Sequence, residues 1–234
     1  MRGGRWDDCV NAFYRARVPS VSMPLFPLAS PALFPHCAAP LHVFEPRYRA
    51  LVADALAGER RIGMATVRPD ALAEMPGDPP LFAIGCAGFI AEHQRLEDGR
   101  YLILLQATAR FQIVNEPQRR SGERLYRVAE VELLEERAGD GARAAAQRAE
   151  VMRELSAVVA AEGAHDGLEV ARLEALDDGR LACEVAHALK LPGAEKQALL
   201  EAATAAERLE CIAQTLAFYR ALASGSVGGG ATLH

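Results

Sequence analysis

The stretch that decides the fold covers residues 23–48 and reads MPLFPLASPALFPHCAAPLHVFEPRY. It contains two short apolar pieces broken by prolines, residues 24–28 and 41–44, which predict extended strands at the edge or entry of a sheet. Pro46 stands where a helix can begin, because a proline at the first helical position loses no hydrogen bond. Apolar residues then recur at spacings of three and four, which indicates one helix within a strand-rich region.

Downstream of this stretch the pattern changes once. Residues 61–136 contain apolar, β-branched and aromatic runs, and Asp98-Gly99 between two of them predicts a β-hairpin. From residue 139 onward the apolar residues recur at helical spacing. Thr204-x-x-Glu207 is a capping box that predicts the start of the last helix. The order of these patterns predicts an α+β protein with strands first and helices second.

Four segments follow from these patterns. We expect a flexible N-terminal arm at residues 1–22 and a strand-rich subdomain at residues 23–137. A helical subdomain is expected at residues 138–222. The glycines and serines after it predict a flexible Gly-rich tail at residues 223–234.

Composition limits where the protein acts. No apolar run approaches the roughly 18 residues that a membrane-spanning helix needs. The N-terminal arginines are not followed by the apolar segment of a secretory signal. We therefore expect a cytoplasmic protein with no membrane partner.

The charge pattern argues against nucleic acid as a partner. The formal net charge is −5, and residues 23–137 carry 13 basic against 15 acidic side chains. Residues 138–234 carry 9 basic against 14 acidic side chains. Nucleic-acid binding draws on a basic surface that neutralises phosphates, and neither half has a basic excess.

Motifs for catalysis are missing from the sequence. It contains no G-x-S-x-G, no S-x-x-K and no phosphate-binding G-x-x-x-x-G-K-[ST] motif. We therefore expect neither covalent catalysis nor ATP hydrolysis, and the protein is predicted not to be an enzyme. The five cysteines are scattered and form no C-x-x-C pair, so we expect reduced thiols.

Two groups of residues have the chemistry of metal ligands. His36, Cys37 and His42 lie within seven positions, and Cys183 and His187 have the spacing of one helix face. A structural zinc site needs four ligands, and no second pair at finger-like spacing completes either group. We therefore expect no metal and no cofactor.

The motifs together resemble the Lon protease N-terminal (LON substrate-binding) domain family. The opening stretch is similar to that family's P-L-F-P-L, F-P-G and L-x-I-F-E-P-R-Y blocks. Two later blocks also match: Gly85 with Asp98-Gly99-Arg100 and Arg110-Phe111-Gln112-Ile113, then Glu195-Lys196-Gln197-Ala198-Leu199-Leu200-Glu201 with Arg208-Leu209. The sequence departs at His36 and at Ala107, where the family has glycine.

This resemblance implies a PUA-like β-barrel followed by a C-terminal helical bundle, as a stand-alone member without the ATPase and peptidase domains. It implies a non-catalytic polypeptide-binding protein, adaptor- or chaperone-like in protein quality control. The expected partners are unfolded or misfolded polypeptides, with a protease as a further candidate. Two alternatives stay open, an RNA-binding PUA-like module and a small hydrolase of unknown type.

Within the motifs we separate contact residues from structural ones. Phe26, Phe34 and Phe44 are predicted to line an apolar groove for extended peptide, with core packing as the alternative for each. The other motif residues are predicted to be structural. They are Pro24, Leu25, Pro27, Pro35, Glu45, Pro46, Arg47 and Tyr48.

Overall fold

The computed structural model describes residues 20–31, 33–75, 77–117, 124–137, 139–162 and 170–223. Its strands are β1 (Val21–Leu28), β2 (Ala38–Val43), β3 (Arg61–Thr66), β4 (Ile84–Arg95), β5 (Tyr101–Asn115) and β6 (Arg127–Leu134). Its α-helices are α1 (Pro46–Ala57), α2 (Gly141–Glu162), α3 (Val170–Glu174), α4 (Asp178–Ala188), α5 (Gly193–Glu201) and α6 (Ala205–Ala223), and a 3-10 helix (Pro69–Glu74) follows β3. A mixed sheet followed by several helices confirms the predicted α+β class.

The predicted terminal segments lie almost wholly outside the described residues. Of the arm at residues 1–22 only the last three are described, and of the tail at residues 223–234 only the first. β1 begins at Val21, two residues before the expected boundary, because Val21 and Ser22 pair with Val131 and Glu130 of β6.

The sheet has the strand order β2-β5-β4-β3-β1-β6, and β5 also pairs with β6. β1 and β3 run parallel, and the other pairs are antiparallel. β5 is 15 residues long and contacts three strands: β2 along its first half, β6 along its second half, and β4 along most of its length. The predicted hairpin joins β4 to β5, with Gly99 at φ +80° in its turn.

The two proline-rich strands are expected at the edge or entry of a sheet; β2 lies at an edge, whereas β1 is the first of the described strands and lies inside the sheet. Among the described strands, β2 pairs with β5 alone. β1 lies between β3 and β6, but its two partners take different halves, so that Pro24 is paired only across β6 and Pro27 only across β3. A proline has no N–H group to donate to a neighbouring strand. Each of these two prolines is paired with a strand on one side only.

A β-bulge interrupts the pairing of β4 with β5 next to Gly88, and its extra residue is Thr108 of β5. The register with β5 shifts between Ala87 and Gly88, where Gly88 stands opposite Ala107. A Cβ atom at Gly88 would lie 2.7 Å from the carbonyl oxygen of Gln106. The glycine that allows close strand approach is therefore on β4, which is compatible with alanine at position 107.

The hydrophobic core continues from the sheet into the helices. Phe34 and Leu105 from the strand-rich part and Leu181 and Leu209 from the helical part are fully buried in one cluster. The boundary expected at residue 137 falls in the connection between β6 and α2. Because the core crosses this boundary, the two parts stabilise each other.

Two buried arginines bind the carboxyl end of α5. Arg208 donates from Nε to the carbonyl oxygen of Leu199 at 3.0 Å and from Nη2 to that of Ala202 at 2.9 Å. Arg110, on β5, donates from Nη1 to the carbonyl oxygens of Leu200 at 3.1 Å and Ala202 at 2.6 Å. The last carbonyl groups of a helix have no partner within it, and cations also interact favourably with this end of the helix dipole.

Glu136 compensates the charge of these two arginines. Its Oε1 lies 3.1 Å from Nη1 of Arg208 and its Oε2 lies 3.5 Å from Nη2 of Arg110. Burial, together with the nearby Arg208 cation, lowers the pKa of Arg110, and Glu136 opposes that shift. The cluster thus joins β5, the segment after β6, α5 and α6.

Two other helix ends are capped in the same way. Lys196 Nζ donates to the carbonyl oxygens of His187 at 2.8 Å and Leu189 at 3.1 Å, at the end of α4. Arg148 of α2 donates to the carbonyl oxygens of Glu174 and Leu176, both at 2.8 Å, after α3. Side chains from elsewhere in the chain therefore satisfy the ends of three short helices.

His36 occupies a turn in a conformation that favours glycine. Its φ is +69°, in the left-handed region that costs an L-residue roughly 1–2 kcal/mol. The glycine that the family has here would adopt this backbone conformation without that cost. The histidine keeps the same turn and makes it less stable.

Replacing Arg208 should strongly destabilise the fold. We expect Arg208→Met to lower the free energy of unfolding by about 3–5 kcal/mol, because it leaves buried carbonyl groups without donors. Urea unfolding followed by circular dichroism measures the change. The control is Arg143→Met, which removes the more exposed ion pair with Glu210 and should cost less than about 1 kcal/mol. Similar losses in both variants would contradict the capping role.

Replacing His36 with glycine should stabilise the protein. The relief of left-handed strain exceeds the added entropy of glycine in the unfolded chain, so we expect a gain of about 0.5–1 kcal/mol. His36→Ala keeps the Cβ atom and serves as the control. A gain of the same size in both variants, measured by urea unfolding, would show that backbone strain is not the cause.

Candidate functional site

The three phenylalanines predicted to form a groove do not share a surface. Phe34 is 0% exposed and Phe26 is 6% exposed, and both belong to the hydrophobic core. Phe26 stacks on Tyr48, with ring centroids 4.2 Å apart. Phe44 is 59% exposed. Phe26 on β1 and Phe34 in the β1–β2 connection are both packed in the hydrophobic core, so only Phe44 remains a candidate contact residue.

The motif that follows Phe44 anchors a loop. Pro46 is at the first turn of α1. Arg47 pairs with Glu45 at 2.9 Å and donates to the carbonyl oxygens of Met75 at 3.0 Å and Gly77 at 3.2 Å. Its guanidinium carbon lies 4.5 Å from the ring centroid of Tyr48, and burial raises the pKa of Tyr48. These contacts tie α1 to the segment after the 3-10 helix.

The remaining motif residues lie mainly inside. Leu25 is fully buried, Pro27 and Pro35 are buried, and Pro24 is half-buried. Their positions suit the structural role predicted for them.

The residues considered as metal ligands are not gathered into one site. Among the described residues, no group of three or more His, Cys, Asp and Glu side chains is placed to hold a metal ion. His36 and His42 are exposed, whereas Cys37 and Cys183 are buried. Cys37 Sγ lies 3.7 Å from the carbonyl oxygen of Cys183. Burial raises the pKa of Cys37 to about 12, which keeps this thiol protonated and unreactive at neutral pH.

An exposed sheet surface was missed by the sequence analysis. It is formed by β2 with the residue after it, the first half of β5 and the second half of β4. This surface, called here the β2–β5–β4 face, consists of Pro40, His42, Phe44, Phe89, Glu92, Gln94, Leu102, Leu104 and Gln106. Three of its large apolar side chains are well exposed, since Phe44 is 59%, Leu102 42% and Phe89 40% accessible.

The sequence did contain a pattern that points to this face. Tyr101, Ile103 and Leu105 are buried on the inner side of β5, while Leu102 is exposed and Leu104 half-buried on the outer side. A strand with one wet face normally alternates apolar with polar residues. When the odd and the even positions of a strand are both apolar, either both faces of the strand are buried or one face is an exposed apolar surface.

Other apolar features offer less to a ligand. The end of α6 exposes Phe218, Tyr219 and Leu222. A shallow depression between the end of β1, β3 and Leu200 of α5 has no internal space for a water molecule. None of the helices within the described part of the chain is long and apolar enough to cross a bilayer.

Comparison with known proteins identifies relatives of this chain. The family model for the ATP-dependent protease La (LON) substrate-binding domain matches residues 22–217. The Lon protease of Azorhizobium caulinodans is 28% identical over 196 residues, which cover 82% of this chain and 22% of the relative. Lon protease 2 of Myxococcus xanthus is 27% identical over 211 residues, which cover 85% and 24%. The chain thus spans about a quarter or less of these relatives.

Solved structures show the same fold. The N-terminal domain of Mycobacterium avium complex Lon protease superimposes with a TM-score of 0.67 at 22% identity, covering 84% of this chain and 98% of that one. The Lon N-terminal domain protein of Xanthomonas campestris gives a TM-score of 0.57 at 24% identity, covering 85% and 98%. These likenesses show the fold, and the match of the family model over residues 22–217 shows that the chain belongs to the LON substrate-binding domain family.

Proposed function

We propose that this protein binds unfolded or misfolded polypeptides through the β2–β5–β4 face. The observation that carries the proposal is the exposure of Phe44, Leu102 and Phe89 on one side of an antiparallel sheet. Water-facing sheet surfaces are normally polar, and clustered exposed apolar side chains mark interaction sites. Burying the exposed part of each such side chain under a ligand contributes about 1 kcal/mol.

The family supports a substrate-recognition role. Its model is described as a substrate-binding domain of an ATP-dependent protease, and the match includes every residue of the β2–β5–β4 face. We infer that the chain recognises polypeptide without using ATP, as an adaptor that delivers clients to a protease or as a chaperone-like holder. We expect it to act in the cytoplasm.

The architecture expected from the resemblance is compatible with this role. β5 pairs with both β4 and β6, so the series β5-β4-β3-β1-β6 returns to β5. This supports a PUA-like β-barrel, with the helices after residue 138 forming the predicted bundle against it. Such a scaffold would hold the face on regular strands, which position contact residues more rigidly than loops do.

The composition of the face favours polypeptide over RNA. Its nine members include Glu92 and neither lysine nor arginine. RNA binding by a sheet surface combines stacking aromatic residues with basic groups for the phosphates. A solvent-exposed carboxylate beside apolar residues suits polypeptide side chains better.

Substitutions on the face test the proposal. The probe is fluorescently labelled α-lactalbumin that has been reduced and carboxymethylated, so that it cannot fold. We expect Phe44→Ser combined with Leu102→Ser to weaken binding about 10-fold or more, since each removes about 1 kcal/mol of apolar contact. Fluorescence anisotropy measures the dissociation constant, and thermal unfolding checks that the variant is folded.

The matched control is Phe218→Ser. Phe218 is exposed to a similar extent, 55%, but lies on α6. Its replacement should leave binding within about 2-fold of the unsubstituted protein. If Phe218→Ser weakens binding and the double variant does not, the β2–β5–β4 face is not the site.

A further inference from the structure

The apolar residues of the β2–β5–β4 face are arranged along a line. His42 of β2 stands opposite Leu102 of β5. Phe44 is two residues beyond His42 on the same side, and their rings are 5.9 Å apart. Phe44 therefore lies diagonally next to Leu102, on the neighbouring strand and two residues further along.

The line continues on the other side of β5. Leu104 is two residues beyond Leu102 on the same face of the strand. Gln106 follows Leu104 and stands opposite Phe89 of β4, so that Phe89 lies diagonally next to Leu104. The four residues form what is called here the apolar diagonal, in the order Phe44, Leu102, Leu104 and Phe89.

Sheet geometry sets the dimensions of the apolar diagonal. Strands are about 4.8 Å apart, and alternate residues of one strand are about 7 Å apart. Neighbours on the diagonal are therefore about 7–8 Å apart, and the diagonal is about 20 Å long. Four side chains at alternate positions of an extended peptide also span about 20 Å.

Polar residues border the apolar diagonal. His42 lies beside it on β2, and Glu92 and Gln94 lie opposite Leu104 and Leu102 on β4. The diagonal is thus about one side chain wide over most of its length. An amphipathic helix presents a broader apolar stripe, with side chains about 5–6 Å apart, and matches this surface poorly.

The free edge of β2 does not favour the addition of a strand. The amide of Ala107 donates to the carbonyl oxygen of Cys37 at 2.8 Å, so Cys37 faces β5 and Ala38, Pro40 and His42 direct their backbone groups to the free edge. Pro40 has no N–H group to donate. The ring of His187 lies beside the backbone of Ala38, which partly opposes the lowering of the His187 pKa by burial.

We infer that the ligand of this face is an extended polypeptide segment with apolar side chains at every second residue. It lies across the strands along the apolar diagonal and is held by its side chains, without backbone pairing to β2. This inference rests on the proposed function. It narrows the clients of the protein to amphipathic strand segments that become exposed when a client unfolds.

Two labelled peptides of identical composition test the inference. Both are about 12 residues long, with four leucines among serine and lysine residues; one has the leucines at alternate positions and the other at helical spacing. We expect the alternating peptide to bind at least 10-fold more tightly in fluorescence anisotropy. Leu104→Ser should remove that preference, and the Phe218→Ser control should keep it.

A third peptide tests the mode of binding. It is the alternating peptide with every backbone amide N-methylated, which removes the donors of both strand edges. We expect its affinity to stay within about 3-fold of the unmethylated peptide, since the contacts are made by side chains. A large loss on methylation, or equal or tighter binding of the helical pattern, would overturn the inference.

Failure of this inference is distinguishable from failure of the proposed function. If carboxymethylated α-lactalbumin binds and the Phe44→Ser, Leu102→Ser variant weakens it, while the alternating peptide shows no preference, the proposed function stands and the inference is wrong. If neither the unfolded protein nor either peptide binds, the proposed function itself is wrong.

Discussion

The fold depends on the capture of one helix end by two buried cations. The last carbonyl groups of α5 would be desolvated without partners if Arg110 and Arg208 did not donate to them, and Glu136 balances the two charges. Because Arg110 belongs to β5 and Arg208 to α6, one cluster fixes the helices against the sheet. The two later sequence blocks that resemble the family, which contain Arg110 and Arg208, thus meet in this cluster.

The same strand connects this anchor to the candidate site. The second half of β5 carries Arg110, and its first half carries Leu102 and Leu104 on the outer side. α4 approaches the inner side and edge of β2, through the contacts of Cys37 with Cys183 and of Ala38 with His187. Helices thus cover one side of β2 and β5, and side chains on their other side, such as His42 and Leu102, are exposed.

Much of the local structure could be predicted because it depends on neighbours in the chain. Pro46 starts α1, Gly99 forms the hairpin turn, and Thr204 with Glu207 makes the capping box, with Glu207 N 3.2 Å from Thr204 Oγ1. Phe26 and Phe34 are buried instead of exposed, because distant strands and helices pack with them into one core cluster. The apolar outer side of β5 was visible in the sequence but could not be assigned to surface or core.

The sequence by itself determined the family, the order of strands and helices, and the turns and caps, since these follow from spacing and local backbone chemistry. Only the tertiary structure decided that β1 is interior, that Phe44 is the one exposed member of its group, and that Arg110 meets Arg208. Strand pairing and burial are set by contacts between distant residues, and no local pattern contains them. The candidate site is such a non-local feature, because β2, β5 and β4 bring its residues together only when the sheet forms.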